Sequence, residues 1–368
     1  MLNVPNFFYA KPQKKMKIAI FSMLVFLSSI PLEAQRIPVF TQARENMMLL
    51  NPAIPHLEFL FAVYGDDFGT LREYSPSNRY NQTIGISLRM QWTELGQYSP
   101  RTGLIRWEHM PELKDRKPTL KSGKKKYIIY GASLIEDDTK PIYSTTIIGR
   151  FAYRFGKVGK YGNYQFLSLG ASYSANNYRF NGDPALLNNP NDPIGLDYDN
   201  RWYDAWSFGF LYEWKGEKPN HYLLGISINQ APRKISEEPV NLYYFNGLFG
   251  MINNVVNRTG PLKSFETLLN VRYSEKAPLE WTVNHRIAFH VKRKNTKERS
   301  HFFWLGLGAN FGWGEPYLNG LYFDPSFVLK GGDIQYKFGF AIALYQADFI
   351  RNNFGQVPEL NTNFAFGH

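Results

Sequence analysis

The sequence of 368 residues contains no cysteine, and this absence excludes several kinds of site at once. Without a thiol there is no disulfide framework, thiolate metal ligand, thiol nucleophile or lipidated N-terminal cysteine. Long apolar runs are also missing: after residue 34 no segment approaches the run of about 18 apolar residues that is typical of a transmembrane helix. The mean hydropathy of −0.36 likewise argues against a bundle of membrane-spanning helices.

Aromatic residues, by contrast, make up 17% of the chain. They occur in segments of about ten residues in which every second residue is apolar or aromatic, as in 84–92, 206–214, 303–311 and 336–342. The residues between them are rich in Gly, Ser, Asn and Arg. This length and alternation are typical of strands that cross a bilayer at a tilt, with aromatics such as Trp92, Trp206 and Trp214 near the interfaces. A large soluble β-sandwich is the alternative, but its strands would carry more Val, Ile and Leu.

Fourteen segments show strand character, an even number, as an up-and-down bacterial barrel requires. The sequence therefore predicts an all-β fold, a transmembrane antiparallel β-barrel of about 14 strands. The predicted strands are 83–92, 102–108, 127–135, 142–155, 164–178, 204–215, 221–230, 240–251, 264–274, 279–292, 301–313, 320–329, 334–345 and 357–366.

Residues 1–34 are typical of a secretory signal peptide. Basic residues flank Met16, a plausible true start, and an apolar run then extends to residue 30. We expect cleavage between Ala34 and Gln35; an uncleaved anchor is the alternative. Removal of this segment, which has a net charge of +3, would lower the formal charge of +11 to +8.

The rest of the chain divides into two parts. Residues 35–82 lack alternation, and we interpret them as a periplasmic or plug-like segment, because a barrel of this size has a lumen that wall side chains do not fill. Residues 83–368 form the predicted outer-membrane barrel.

Motifs for catalysis or ligand binding are absent from the sequence. Neither the Gly-x-Ser-x-Gly elbow nor the His-Glu-x-x-His zinc motif occurs. His285 and His290 fall on opposite faces of one predicted strand, which disfavours a shared metal. We therefore expect no enzyme activity, cofactor or metal, and no nucleic-acid partner, since the charge forms no stripe. A hydrolase embedded in the barrel is the least favoured alternative.

Arginines recur at polar positions of several predicted strands, near acidic residues. A ring of arginines would select anions in a pore, whereas ion pairs would stiffen the barrel and hold a plug. The mixture of charges favours ion pairs. The residues are Arg89, Arg150, Arg154, Arg272 and Arg286, with Glu213, Glu266 and Glu280.

Several short motifs, in order along the chain, resemble those of the PorP/SprF family of type IX secretion outer-membrane proteins. The closing segment has Pro358 where the family has His, and Phe151 replaces a Tyr. The residues that carry the resemblance are Phe40, Thr41 and Gln42; Asn51, Pro52 and Ala53; Arg89, Gln91 and Trp92; Pro100 with Thr102; Tyr153 and Arg154; the glycine-bearing strands 167–170 and 224–227; and Glu359 with Phe364 and Phe366.

The resemblance implies an outer-membrane barrel that works with the type IX apparatus. Members help to secrete partner proteins or hold them at the surface, gliding adhesins among them. The expected partners are a secreted surface protein, bound through its C-terminal domain, other type IX components and outer-membrane lipid. A porin-like passive transporter of small solutes is the alternative function.

Overall fold

The protein is described here by a computed structural model. The structure describes residues 46–56, 82–90, 101–111, 123–139, 142–158, 163–180, 201–216, 220–232, 244–254, 262–274, 277–292, 300–312, 318–331, 334–346 and 359–366. The predicted signal peptide and its cleavage site lie outside these ranges, as do residues 35–45 and 57–81 of the predicted plug segment. The proposed division at residues 34 and 82 therefore stays a prediction.

The described residues form one helical turn and fourteen strands. The turn, α1, is Met47–Leu50. The strands are β1 Gln82–Met90, β2 Arg101–His109, β3 Gly123–Thr139, β4 Ile142–Val158, β5 Tyr164–Phe180, β6 Arg201–Lys215, β7 Asn220–Pro232, β8 Tyr244–Asn254, β9 Leu262–Ser274, β10 Ala277–Lys292, β11 Ser300–Gly312, β12 Leu318–Gly331, β13 Ile334–Gln346 and β14 Glu359–Phe366.

Each strand pairs antiparallel with its neighbours in the chain, and β14 pairs with β1 to close the barrel. The closing register runs from Gln82 opposite Phe366 to Arg89 opposite Glu359. Closure satisfies the backbone hydrogen bonds of both terminal strands, as a lipid environment requires. The predicted class, a transmembrane up-and-down barrel of about 14 strands, is confirmed. Among the described residues no helix is long and apolar enough to cross a membrane.

The two faces of the wall differ as the alternation predicts. In β1 the apolar side chains of Ile84 and Leu88 point outward and are 38% and 50% exposed, whereas Thr83 and Ser87 point inward and are buried. Most outward side chains of the other strands are also apolar and exposed, with Phe151 at 53% and Leu307 at 57%. An apolar exterior around a polar interior is the arrangement expected of a barrel in lipid.

The strand bounds agree with the predicted segments to within four residues, and β3 is the one strand that extends four residues farther at both ends. The alternation predicts 127–135, but the strand extends over Gly123–Thr139. The extra residues include Lys124–Lys126 at one end and Glu136–Asp138 at the other. Alternation stops where side chains leave the apolar layer, whereas the ladder with β4 continues through all seventeen residues of the strand.

The two ends of the barrel differ in their connections. We call the end at which β1 begins and β14 ends the proximal rim, and the other end the distal rim. Most of the longer connections join strands at the distal rim, namely 91–100, 181–200, 233–243 and 347–358. The proximal rim has one long connection, 110–122. Longer loops face the cell exterior in outer-membrane barrels. The proximal rim is therefore the periplasmic end.

Lysine is confined to one rim in the described strands. Every one of these lysines lies within four residues of the proximal end of its strand. They are Lys124, Lys125, Lys126, Lys157, Lys215, Lys263, Lys292, Lys330 and Lys337. The distal ends of β3 and β6 carry acidic residues, with Glu136, Asp137, Asp138 and Asp204, and the same rim also carries the arginines Arg101, Arg179 and Arg201.

An arginine placed on the outward face should test the lipid environment directly. We expect Phe151→Arg, near the middle of β4, to lower the free energy of unfolding by about 2–4 kcal/mol, because a guanidinium is costly near the bilayer midplane. Phe151→Leu is the matched control and should change it little. Urea unfolding of the barrel refolded into lipid vesicles measures both; similar values for the two variants would contradict a lipid-facing β4.

Candidate functional site

The described part of the N-terminal segment, residues 46–56, lies inside the barrel against the inward faces of β1–β8. Its backbone and side chains form hydrogen bonds to the wall at several points along its length. Met47, Ala53 and Ile54 belong to a buried apolar cluster with inward residues of the wall, including Tyr127 and Phe166. We call residues 46–56 the plug; a plug-like segment is what the sequence predicts.

Asn51 connects the plug to two strands at once. Its side-chain NH₂ donates to the backbone carbonyls of Phe210 in β6 (3.0 Å) and Ile226 in β7 (3.3 Å). Its side-chain oxygen accepts a hydrogen bond from the backbone N–H of Ala53 at 2.9 Å, which closes a local turn over Pro52. An amide side chain supplies both the donors and the acceptor, whereas an ionised aspartate would lack the donors.

Three glycines on adjacent strands leave the space that Asn51 and Pro52 occupy. A Cβ added to Gly209 would lie 2.0 Å from Oδ1 of Asn51, and one added to Gly170 would lie 2.4 Å from the carbonyl of Pro52. At Gly225 the added Cβ would approach Nδ2 of Asn51 to 3.0 Å. We call Gly170, Gly209 and Gly225 the glycine cradle. Gly170 and Gly225 belong to the two glycine-bearing segments, 167–170 and 224–227, that resemble those of the PorP/SprF family.

The carbonyl oxygen of Leu50 is the most heavily bonded atom of the plug. It accepts hydrogen bonds from Ser227 Oγ (2.5 Å) and Asn229 Nδ2 (2.6 Å) in β7, and from Asn246 Nδ2 (2.9 Å) in β8. All four residues are buried. Because this oxygen belongs to the last carbonyl of α1, no backbone N–H of the helical turn donates to it. The hydrogen bonds from the barrel wall take the place of that missing bond.

A buried ion pair holds the other end of the plug. Arg150 in β4 contacts Glu108 in β2, and both side chains are buried. Arg150 Nη1 also donates to the backbone carbonyl of Ile54 at 2.8 Å, and Glu108 Oε1 accepts from the backbone N–H of His56 at 2.7 Å. The pair therefore neutralises two buried charges and satisfies two backbone groups of the plug.

At the start of the plug, Arg106 of β2 donates to the side-chain oxygen of Asn46 at 3.0 Å. Both side chains are buried. Together with the contacts of Leu50, Asn51, Ile54 and His56, this bond means that the plug is attached along its whole described length. It is part of the folded barrel interior.

Further ion pairs connect different strands of the barrel. Arg154 in β4 donates to both carboxylate oxygens of Glu213 in β6, at 2.8 and 2.7 Å, and its guanidinium lies 4.4 Å from the ring centre of Phe166. Arg286 contacts Asp324, and Arg272 lies 4.0 Å from Glu280. These contacts support ion pairing over an anion-selecting ring of arginines.

The structure places the sequence-predicted residues in different settings. Asn51, Pro52 and Ala53 lie in the glycine cradle. Arg154 is buried in an ion pair, whereas Tyr153 points outward, with its ring centre 5.6 Å from that of Phe155. Arg89 lies opposite Glu359 in the register that closes the barrel. The remaining predicted residues lie outside the described ranges: Ala34, Gln35, Phe40, Thr41, Gln42, Gln91, Trp92 and Pro100.

Several important residues were missed by sequence reasoning. Glu108 and Asp324 each balance a buried arginine, and Ser227, Asn229 and Asn246 bind Leu50. Their inward positions follow from alternation, but their partners lie on other strands. His285 is exposed on the outward face and contacts Thr267 Oγ1 at 2.8 Å. Among the described residues no group of three His, Asp or Glu side chains could hold a metal ion.

The model of a family described as type IX secretion system membrane protein PorP/SprF matches residues 74–363 of this chain. The chain belongs to the PorP/SprF family. The matched range includes the whole barrel from β1 to most of β14 and excludes the plug. As a PorP/SprF barrel with an apolar exterior, the protein resides in the outer membrane.

No curated protein matches the PorP/SprF chain in sequence. Three solved structures resemble it at low identity. CdiB from Acinetobacter baumannii has a TM-score of 0.43 and 9% identity, covering 92% of this chain and 74% of that chain. The β domain of the Bordetella autotransporter BrkA has a TM-score of 0.38 and 10% identity, and the match covers 78% of this chain and 99% of that chain. The transport unit of the autotransporter AIDA-I from Escherichia coli has a TM-score of 0.36 and 8% identity, and the match covers 91% of this chain and 100% of that chain.

A methyl group in the glycine cradle should disturb the plug. We expect Gly209→Ala to lower the free energy of unfolding by about 1–3 kcal/mol, because the added Cβ overlaps Asn51 Oδ1. Gly149→Ala in β4, whose added Cβ meets nothing within 4 Å, is the matched control. Urea unfolding in vesicles measures both.

A double-mutant cycle with Asn51→Ala assigns this cost to the plug. The penalty of Gly209→Ala should shrink in the Asn51→Ala background, since the overlapping oxygen is then gone. An equal penalty in both backgrounds would mean that the cradle does not bind Asn51.

The buried pair of Arg154 and Glu213 gives a separate prediction. Arg154→Met should cost about 3–5 kcal/mol of unfolding free energy, because it leaves the buried Glu213 carboxylate without its arginine and with only His221, whose Nε2 is 3.6 Å away. Arg154→Met combined with Glu213→Leu should cost less than Arg154→Met alone. Unfolding in vesicles at neutral pH measures the three proteins; a double variant as unstable as the single one would refute the pairing.

Proposed function

We propose that this barrel assists the secretion or the surface attachment of a partner protein through the type IX apparatus, possible partners including a gliding adhesin. Membership of the PorP/SprF family is the observation that carries the proposal. In this role the barrel binds the C-terminal domain of a secreted protein and contacts other type IX components. It catalyses no reaction.

The occupied lumen supports a binding role over solute transport. The plug is bonded to wall strands from β2 to β8, and Arg150, Arg154 and Arg286 contact carboxylates of the barrel. Arginines held in this way are not available as a ring that attracts anions through a pore. A porin-like function would need lumen space beyond that filled by the plug, or removal of the plug from the lumen.

The connections at the distal rim are the proposed binding surface. They are the longer set, and this end faces the cell exterior by the same rule that assigns longer loops to the outside. A protein that emerges at the cell surface meets this rim first. Segments 181–200 and 347–358 are therefore the first to replace in a search for the partner's contacts.

Deletion of the gene should remove one surface protein without altering small-solute uptake. Surface proteins released by brief proteolysis of intact cells, compared by mass spectrometry between wild type and mutant, identify the missing protein. Complementation with the wild-type gene should restore it, as should the Gly149→Ala variant. Unchanged surface display in the deletion strain would exclude the proposal.

Conductance separates the porin alternative. The purified barrel in planar bilayers should show little ion conductance, and a variant lacking residues 35–64 should conduct because the plug is removed. If the intact protein conducts steadily and uptake falls in the deletion strain, the transporter function would replace the one proposed here.

A further inference from the structure

The outward face of the β3–β4 hairpin carries lysines immediately beyond its lipid-facing band. Lys124 and Lys126 in β3 and Lys157 in β4 occupy outward positions near the proximal rim, and Lys124 and Lys157 are exposed. We propose that these three lysines form a binding site for the phosphate headgroup of an anionic glycerophospholipid in the periplasmic leaflet of the outer membrane. We call them the lysine triad.

The height of the triad matches the headgroup layer. In β3 the outward residues between Lys126 and Glu136 are Ile128, Tyr130, Ala132 and Leu134. The interval 127–135 covers about 30 Å along the strand at about 3.3 Å per residue, which gives a height of about 21–25 Å at the usual tilt. An outer-membrane barrel presents an apolar band of about 25 Å. Charged residues thus begin at both edges of the bilayer core.

Aromatic side chains mark the same level. On β4, Tyr153 and Phe155 lie on the outward face just before Lys157. Aromatic residues with polar groups are typical of the interface between hydrocarbon and headgroups. Lys126 lies opposite Phe155, and Lys124 and Lys157 lie one outward position farther toward the proximal rim.

The spacing of the triad suits a single phosphate-bearing headgroup. Lys124 lies directly opposite Lys157 in the β3–β4 register, and Lys126 lies opposite Phe155. Directly opposed residues have Cβ atoms about 4.5–5.5 Å apart, and like charges in that position destabilise a sheet. An anion held between the two ammonium groups would remove this repulsion. Flexible lysine stems that follow the apolar surface can bring both groups to one headgroup.

The orientation of the barrel identifies the source of the phosphate. The triad is at the proximal rim, which is the periplasmic end. The periplasmic leaflet consists of glycerophospholipids, whereas lipid A phosphates lie in the outer leaflet. The location of the triad at the periplasmic end therefore favours an anionic phospholipid over lipid A.

Native mass spectrometry of the full-length barrel in detergent tests the proposal. Phosphatidylglycerol, phosphatidylcholine and lipid A are titrated separately, and bound lipid is counted. We expect the wild-type barrel to bind phosphatidylglycerol in preference to the other two. Removing charge in K124Q, K126Q and K157Q together should weaken this binding by about fivefold for each lysine, which corresponds to about 1 kcal/mol per residue near an anionic surface.

Matched variants make the result specific to this site. K124R, K126R and K157R together keep the charge and should bind like the wild type, and Glu136→Gln at the distal end should have no effect. The single variants K124Q and K157Q are measured as well. The shift in gel mobility between heated and unheated samples checks that every barrel is folded. Equal phosphatidylglycerol binding by the folded glutamine variants and the wild type, or a preference for lipid A or phosphatidylcholine, would overturn the proposal.

Discussion

A backbone amide in lipid has no water to bond to, and this constraint shapes the whole molecule. The sheet has to close, and β14 closes it although only eight residues of that strand pair with β1. Once the wall is closed, each side chain faces either lipid or lumen. The charges that alternation directs inward must then find partners across the lumen, and Glu108, Glu213 and Asp324 provide them for three arginines.

The same closure creates a site for the plug. Strands β5, β6 and β7 bring Gly170, Gly209 and Gly225 to neighbouring positions, and the missing side chains expose enough backbone for Asn51 to reach two carbonyl oxygens. Ser227 and Asn229 add donors on the next inward positions of β7. The plug is therefore recognised mostly through its own backbone and one amide side chain.

Alternation was enough to predict the strands and which face of each meets lipid, because lipid and lumen impose opposite demands on neighbouring residues. Alternation underestimated the length of β3, because the charged residues at both ends of this strand continue its pairing with β4 outside the apolar layer. Partners could not be predicted in the same way. Whether Arg150 meets Glu108 or another carboxylate depends on the stagger between strands and on the path of the plug, and neither leaves a periodic trace in the sequence.

The plug precedes β1 in the chain, yet its bonds reach far ahead of it. Asn51 is separated from Phe210 by 159 residues, and Leu50 is separated from Asn246 by 196. Contacts of such long range form late, because a long loop must first be closed. The full set of plug contacts can therefore form only when the strands from β1 to β8 are in place. Docking of the plug therefore requires that eight of the fourteen strands have already come together in their final register.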